Sequence, residues 1–332
     1  MLRLPAFELH EPLTIEDACA LAAELGSDAK ILAGGTDLLP NLKHELYDSA
    51  HVISLRRIPC LRGFEMGGHD LVIGAMTPLD EVASSPLVLQ HAPALAQATA
   101  QIAGPQHRQM GTLGGNVMLD TRCQWINQTH FWREALGFCI KKDGSLCHVV
   151  EGGKKCVAAA SNDSAPALMS LGAILSFATP SGAKHFPIDE LWVADGVNNK
   201  CSQPGEILTE IRIPLRESRH LGAYGKLRER HSIDFPMLGC AVRLEVDEDN
   251  CIIDGDVVMV ALQARPLRIK RVKEMLSGKR VGSPELETAV GEVAQQAHKQ
   301  CKPLDNIPGD KDYRRRMVPV YVKRTLLAAL DS

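Results

Sequence analysis

Lys30-Ile31-Leu32-Ala33-Gly34-Gly35-Thr36-Asp37-Leu38-Leu39 is the stretch on which the reading of the fold turns. Lys30 to Ala33 read as a short apolar strand. Two glycines, a hydroxyl residue and the apolar pair Leu38-Leu39 then read as a turn into a helix. A strand that passes through glycines into a helix start gathers free backbone N–H groups at one point, which suits a phosphate or pyrophosphate. The glycines let a ligand approach the backbone closely. An ordinary Gly-Gly turn is the competing reading of this piece alone. It matches neither the dinucleotide-binding fingerprint nor the P-loop.

Before this stretch, Thr14-Ile15-Glu16-Asp17 resembles a capping box. Ile15, Ala18, Cys19, Ala22 and Leu25 recur at helical spacing, and Gly26 ends the run. After it, His51 to Leu55 reads as a second strand and Leu71 to Ala75 as a third. A helix is expected from Ala92 to Ala103, stopped by Gly104-Pro105. A second glycine site follows at Thr112-Leu113-Gly114-Gly115-Asn116. Two such loops make a two-loop cradle for a dinucleotide more plausible than either alone. Glu206 to Ile213 reads as a strand in which Leu208 is the one apolar residue on a polar face. Met237 to Val246 alternates, with Leu238, Cys240, Val242, Leu244 and Val246 on one face. Val257 to Leu262 is another strand, and charge-rich helices close the chain. The basic run Tyr313-Arg314-Arg315-Arg316 with Lys323-Arg324 reads as a solvated helix face or as a docking surface.

The 332 residues suggest about two domains. Lys plus Arg number 37 and Asp plus Glu 40, giving a net charge of -3. That balance argues against a chain driven onto nucleic acid by its charge. Aromatics make up 4%, too few for a base-stacking platform. No apolar run approaches the roughly 20 residues of a membrane span. Glu8, His10 and Glu11 sit where a secretory signal would need an apolar run, so a cytoplasmic location is expected.

Ten Cys are too few for a disulfide scaffold in a chain of this length. Cys123, Cys139, Cys147 and Cys156 stand apart, with 15, 7 and 8 residues between successive members. They fall in residues 117–162, a segment with no clear helical or strand period and little means of making its own core. Four thiolates suit zinc or an iron–sulfur cluster. The spacings fit neither the zinc knuckle nor the short ferredoxin run, and four unconnected thiols remain a competing reading. Cys19 and Cys240 read as core. His148, beside Cys147, reads as packing or a supporting group rather than a ligand. No Ser–His–Asp set, H-E-x-x-H helix or paired-carboxylate site is present.

The two glycine loops resemble the FAD-binding loops of the flavoprotein subunits of the xanthine oxidase family of molybdenum enzymes. Pro214, Lys226 and Asp234-Phe235-Pro236 sit in that family's order, and the resemblance covers nearly the whole chain. Asp120-Thr121-Arg122-Cys123, Asn127-Gln128, Trp132-Arg133, Gly137-Phe138-Cys139, Cys147-His148-Val149 and Cys156 resemble the insertion in the β subunit of 4-hydroxybenzoyl-CoA reductases. There the four cysteines hold an extra [4Fe–4S] cluster.

The resemblance implies an α+β fold of the xanthine oxidase/CO dehydrogenase flavoprotein type. An FAD-binding domain would span 1–218, with a small α/β subdomain at 1–58 and a larger one at 59–218 carrying the insertion at about 117–162. A C-terminal α+β domain with a three-stranded antiparallel sheet and helices would span 219–332. Ile31, Leu32, Ala33, Gly34, Gly35, Thr36, Asp37 and Leu38 would wrap the FAD pyrophosphate. Thr112, Leu113, Gly114, Gly115 and Asn116 would approach the flavin end. Ile102, Asp163, Leu208 and Lys226 match other FAD-contacting positions. Partners would be a molybdopterin-binding large subunit and a [2Fe–2S] small subunit in a dimer of heterotrimers, with a low-potential donor such as ferredoxin.

The implied function is an electron relay in a reductive dehydroxylation of an aromatic CoA ester. One alternative is the flavin subunit of an oxidative molybdenum hydroxylase acting on an aldehyde, purine, N-heterocycle or CoA ester. Another is a zinc-stabilised nucleotide-binding module without redox turnover.

Overall fold

A computed structural model describes residues 2–332. Three sheets organise it. The first is parallel and small, with Glu8–His10 at one edge, His51–Ser54 in the centre and Ala29–Leu32 at the other edge. The edge strand Glu8–His10 has only three residues, too few to show a period in the sequence. The helix Ile15–Leu25 starts as expected, with the Thr14 hydroxyl accepting from the Asp17 N–H at 3.1 Å, and Gly26 ends it at φ 56°. Its buried Ala18, Cys19 and Ala22 share a core with Ile53 and Leu55.

The second sheet is antiparallel in the order Phe64–Gly67, Asp70–Gly74, Ile207–Pro214, Ile174–Thr179, Gly182–Pro187. Its strand Ile207–Pro214 departs from simple alternation. Ser176 faces Glu210, yet Phe177 faces Leu208, so Thr209 is an extra residue in a bulge. A bulge switches which side chains face the core. Leu208 therefore joins Ile211 and Ile213 in one buried cluster, while Ile207 packs with the small sheet. Leu208 does not stand on a polar face; protein side chains cover it.

The third sheet is also antiparallel, with Arg219–Leu227, Leu238–Val246 and Ile252–Val260 in sequence. It carries a fourth strand beyond the three expected, the two-residue edge Leu267–Arg268. The alternating face Leu238, Cys240, Val242, Leu244, Val246 lies against the helices Pro284–Gln300 and Lys311–Leu330. The opposite face, represented by Tyr224, Ala241 and Val258, shares a core with the helices Pro93–Ala100 and Ser164–Leu171 and with the second sheet. Those two helices form the layer between the antiparallel sheets. The helix expected at Ala92 to Ala103 ends at Ala100, and Ala103 takes φ 45° before a separate turn of helix, Pro105–Met110.

Arg314 overturns the reading of the basic C-terminal run as a surface. Its side chain is fully buried, donating to the carbonyls of Met237 at 2.9 Å, Leu304 at 2.8 Å and Ala261. The guanidinium thus ties the last helix to two loops of the third sheet, while Arg315 and Arg316 are exposed. Arg314→Met should strand three buried carbonyls and lower unfolding free energy by on the order of 3 kcal/mol. A urea titration reads this as a lower midpoint with unchanged slope.

Candidate functional site: two glycine loops beside a four-cysteine pocket

The strand Ala29–Leu32 ends at the first glycine loop, and the helix Leu38–Lys43 begins beyond it. Among the described residues, the backbone N–H groups of Gly34 to Leu38 donate to no protein acceptor. Gly35 has φ 73°, a left-handed conformation that glycine adopts without strain. Gly34 lies directly on the chain leading to the second loop. A Cβ there would stand 1.8 Å from the Met110 carbonyl oxygen and 2.9 Å from the Gly111 Cα. Folding therefore brings the two glycine loops together.

The second loop differs in kind. Thr112 caps the short helix Leu113–Val117, and its hydroxyl accepts from Gly115 N–H at 3.1 Å. Leu113 N–H donates to Thr77 and Gly114 N–H to Ala75. The N–H groups of Leu113 to Asn116 are thus spent inside the protein, and the first loop alone offers a run of free donors. The second loop supplies a close-packed floor. Apolar side chains lie exposed around the junction. Ile31 precedes the first loop, Met110 adjoins Gly34, and Phe235 stacks 4.4 Å from the guanidinium of Arg122, which is paired with Asp37. Exposed apolar groups beside free polar donors are a surface that a bound ligand would cover.

Below the loops, Asp163 is completely enclosed. It accepts from Tyr224 Oη at 2.7 Å and from Lys226 Nζ at 3.1 Å. Lys226 also donates to the carbonyls of Gln101 and Asp234, each at 3.1 Å, so its three ammonium protons are all used. Burial pushes the Asp163 carboxyl up, and Lys226 and Tyr224 oppose that push. Burial and the neighbouring Asp163 raise Tyr224 well above its usual range. Ile102, in the core, follows Gln101, and its carbonyl accepts from Arg108 at 2.9 Å. Asp163 and Lys226 thus hold one another and pin residues 101 and 234. Tyr224 is the member that sequence reasoning missed. Its position two residues before Lys226 on one strand face was the available signal. Lys226→Met should leave a buried carboxylate unpaired and cost about 3–5 kcal/mol. Adding Asp163→Asn should recover part of that loss in a thermal melt; a purely additive double variant would count against the pairing.

The four cysteines converge. Cys123, Cys139, Cys147 and Cys156 line one cavity together with Trp125, Ile126, Ile140, His148 and Val149. Cys123, Cys139 and Cys156 are half of the six buried residues of that small core. Burial, with the three other thiols nearby, pushes Cys123 up to about 12, and burial also raises Cys156. Such thiols stay protonated unless a metal displaces the protons. Backbone N–H groups of Val150 and Ala158 approach the sulfurs of Cys147 and Cys156 at 3.4 and 3.5 Å. No three of the sulfurs lie within 4.8 Å of one another. A single tetrahedral zinc would draw them to about 3.8 Å, given Zn–S bonds of ≈ 2.3 Å. A cubane, which puts its metal ions on separate corners, accepts a wider spread. Four thiols with N–H groups aimed at two of the sulfurs are a donor set that an iron–sulfur cluster can use.

His148 sits in the wall, tilted at 36° against Trp125 with ring centroids 5.3 Å apart and bonded to the Phe138 carbonyl at 2.6 Å. The insertion also has a short helix, His130–Ala135, that no period in the sequence revealed. Its buried Arg133 donates to the carbonyls of His44 and Glu45 at 3.0 and 2.9 Å, just beyond the helix of the first glycine loop. Arg122, next to Cys123, reaches the loop itself through Asp37. Arg122 thus joins the cysteine segment to the glycine loop, and Arg133 joins it to the far end of the helix that follows the loop.

Residues 5–216 match the FAD binding domain in molybdopterin dehydrogenase, and residues 223–329 match the CO dehydrogenase flavoprotein C-terminal domain. The chain belongs to this family of FAD-binding molybdopterin dehydrogenase flavoproteins. It is 31% identical over 325 residues to the carbon monoxide dehydrogenase medium chain of Hydrogenophaga pseudoflava, covering 98% of this chain and 97% of the relative. It is 27% identical over 328 residues to the nicotine 6-hydroxylase medium subunit of Paenarthrobacter nicotinovorans, covering 99% of each. The solved carbon monoxide dehydrogenase of Hydrogenophaga pseudoflava lacking the Mo-pyranopterin moiety superposes with a TM-score of 0.80 at 30% identity, covering 99% of both chains. The protein is accordingly an oxidoreductase subunit of this family with the FAD-binding fold. Among the described residues, no helix is long and apolar enough to cross a membrane.

Proposed function

We propose that this flavoprotein is an electron-relay subunit that holds FAD at its two glycine loops and a [4Fe–4S] cluster at Cys123, Cys139, Cys147 and Cys156. The observation that carries the reading is the convergence of those four cysteines in one pocket, next to Arg122, which reaches the first glycine loop through Asp37. FAD exchanges electrons in pairs or singly and a cluster one at a time, so the two together connect unlike redox partners. The chain's own residues do the placing. Free N–H groups of Gly34 to Leu38 would bind the pyrophosphate, with Thr112 to Asn116 as the floor. Asp163, Tyr224 and Lys226 fix the backbone at Gln101 and Asp234. Trp125, Ile126 and Val149 exclude water from the sulfurs. The domain division proposed is 1–218 and 219–332, with subunits bearing molybdopterin and a [2Fe–2S] cluster as partners, assembled as a dimer of heterotrimers.

The relatives are named as dehydrogenase and hydroxylase subunits, which favours an oxidative complex acting on an aldehyde, purine, N-heterocycle or CoA ester. The four-cysteine insertion favours the second reading, a 4-hydroxybenzoyl-CoA reductase-like complex fed by a low-potential donor such as ferredoxin. The experiment is purification of the native complex under anaerobic conditions, with FAD, iron and sulfide measured per chain. Oxidation of the first group of substrates is then compared with reduction of 4-hydroxybenzoyl-CoA. About one FAD per chain is expected, with four iron and four sulfide beyond those of the [2Fe–2S] partner subunit. Stoichiometric zinc, with no sulfide beyond that of the [2Fe–2S] partner, would overturn the relay and leave the zinc-stabilised module.

A further inference from the structure

We propose that Glu8, His10 and His51 bind one first-row transition-metal dication of the zinc class, which staples the edge strand Glu8–His10 to the small sheet. The two strands pair in parallel with Glu8 opposite His51. Residues two apart on a strand share a face, so His10 stands beside Glu8. The His10 Nε2 and His51 Nδ1 atoms are 3.1 Å apart, and Glu8 Oε2 is 3.6 Å from His51 Nδ1. One donor atom from each residue lies within 4.8 Å of the other two. Two Zn–N bonds of about 2.0–2.1 Å at a tetrahedral angle put their nitrogens about 3.3 Å apart, so the imidazole pair needs almost no movement. Two histidines and one glutamate form a donor set that zinc uses, with the fourth position left to water. Imidazole serves copper and nickel as well, so the class is set by the donors and the element by supply.

The place of the site explains its use. Glu8 and His51 lie at the end of the sheet remote from Gly34; His10 stands opposite Ile53, but on the edge strand across the centre strand from Ala29–Leu32, which leads into the glycine loop. The clamp is therefore separate from the FAD loop and independent of the relay reading. The strand it holds has three residues, and its Leu9 is exposed, so little apolar burial secures it.

The test uses untagged protein with FAD and cluster in place, titrated with Zn2+ alone. One zinc should bind, with Glu8→Gln and His51→Gln each weakening affinity at least about tenfold. Cu2+ in place of zinc should give an EPR spectrum with hyperfine structure from two imidazole nitrogens, and zinc should slow proteolysis within residues 2–10. The Glu8 side chain is mostly exposed, so Glu8→Gln keeps the test alive should a histidine variant misfold. Absence of zinc uptake, or equal uptake by the wild type and by the His10→Gln, His51→Gln double variant, would overturn the clamp. The contact between the imidazoles would then be a plain hydrogen bond.

Discussion

Replacing any one of Cys123, Cys139, Cys147 or Cys156 by Ser is expected to strip iron and sulfide from the chain and to loosen residues 117–162 in the same step. Three of these thiols are half of the small core around the pocket, and the rest of that core is Leu46, Ile126 and Ala158. A ligand set that is also the core cannot lose one member without losing packing. The cost is a metal–ligand bond plus a share of the folding free energy that metal binding supplies. Iron occupancy should fall more than about tenfold, since changes to mere supporting groups already cost 10–100-fold. Hydrogen exchange should speed up across the insertion and stay slow in the strands Leu238–Val246 and Ile252–Val260, which belong to a separate core. Cys19→Ser and Cys240→Ser provide the contrast. Both sit in apolar cores away from the pocket, so they should leave iron unchanged while lowering stability. Iron unaffected by Cys139→Ser would sink the assignment.

Gly34→Ala should have the next largest effect, on FAD. The added Cβ would overlap the Met110 carbonyl, a backbone atom with no rotamer through which to escape. The two glycine loops must then move apart. An overpacking strain of about 1–3 kcal/mol is usual. At 1.4 kcal/mol per decade this is about 5- to 150-fold in FAD affinity when the strain falls on the bound geometry. Gly35→Val should also lower flavin occupancy, because its φ of 73° penalises a branched side chain. Gly26→Ala is the control. Its φ is also positive, but open space surrounds it and it ends a helix remote from the junction. Flavin content read from absorbance after gel filtration separates the cases. Full FAD retention in Gly34→Ala would remove the glycine junction from the binding site.

The sequence by itself determined whatever depends on neighbours in the chain. Thr14 and Gly26 bound a helix because caps act within one turn. The run from Lys30 to Leu39 placed glycines at a strand-to-helix junction, and the alternation of Leu238 to Val246 marked one sheet face. The four cysteines were legible as a group because a segment without a period has no other use for them. The tertiary structure decided everything that depends on partners far along the chain. Alternation made Leu208 a surface residue, but the bulge at Thr209, formed against Ser176 and Phe177, turned it inward. The two glycine loops look alike in sequence. Yet the carbonyls of Ala75 and Thr77 consume the donors of the second and leave those of the first free. Arg314 looks like its neighbours Arg315 and Arg316, and only carbonyls at positions 237, 261 and 304 make it an interior residue. Asp163 with Tyr224, and Glu8 with His51, meet across 61 and 43 intervening steps of chain (224 − 163 and 51 − 8). Periodicity reports which way a side chain faces, whereas the partner it meets there is fixed by how sheets and loops stack, and no local pattern encodes that.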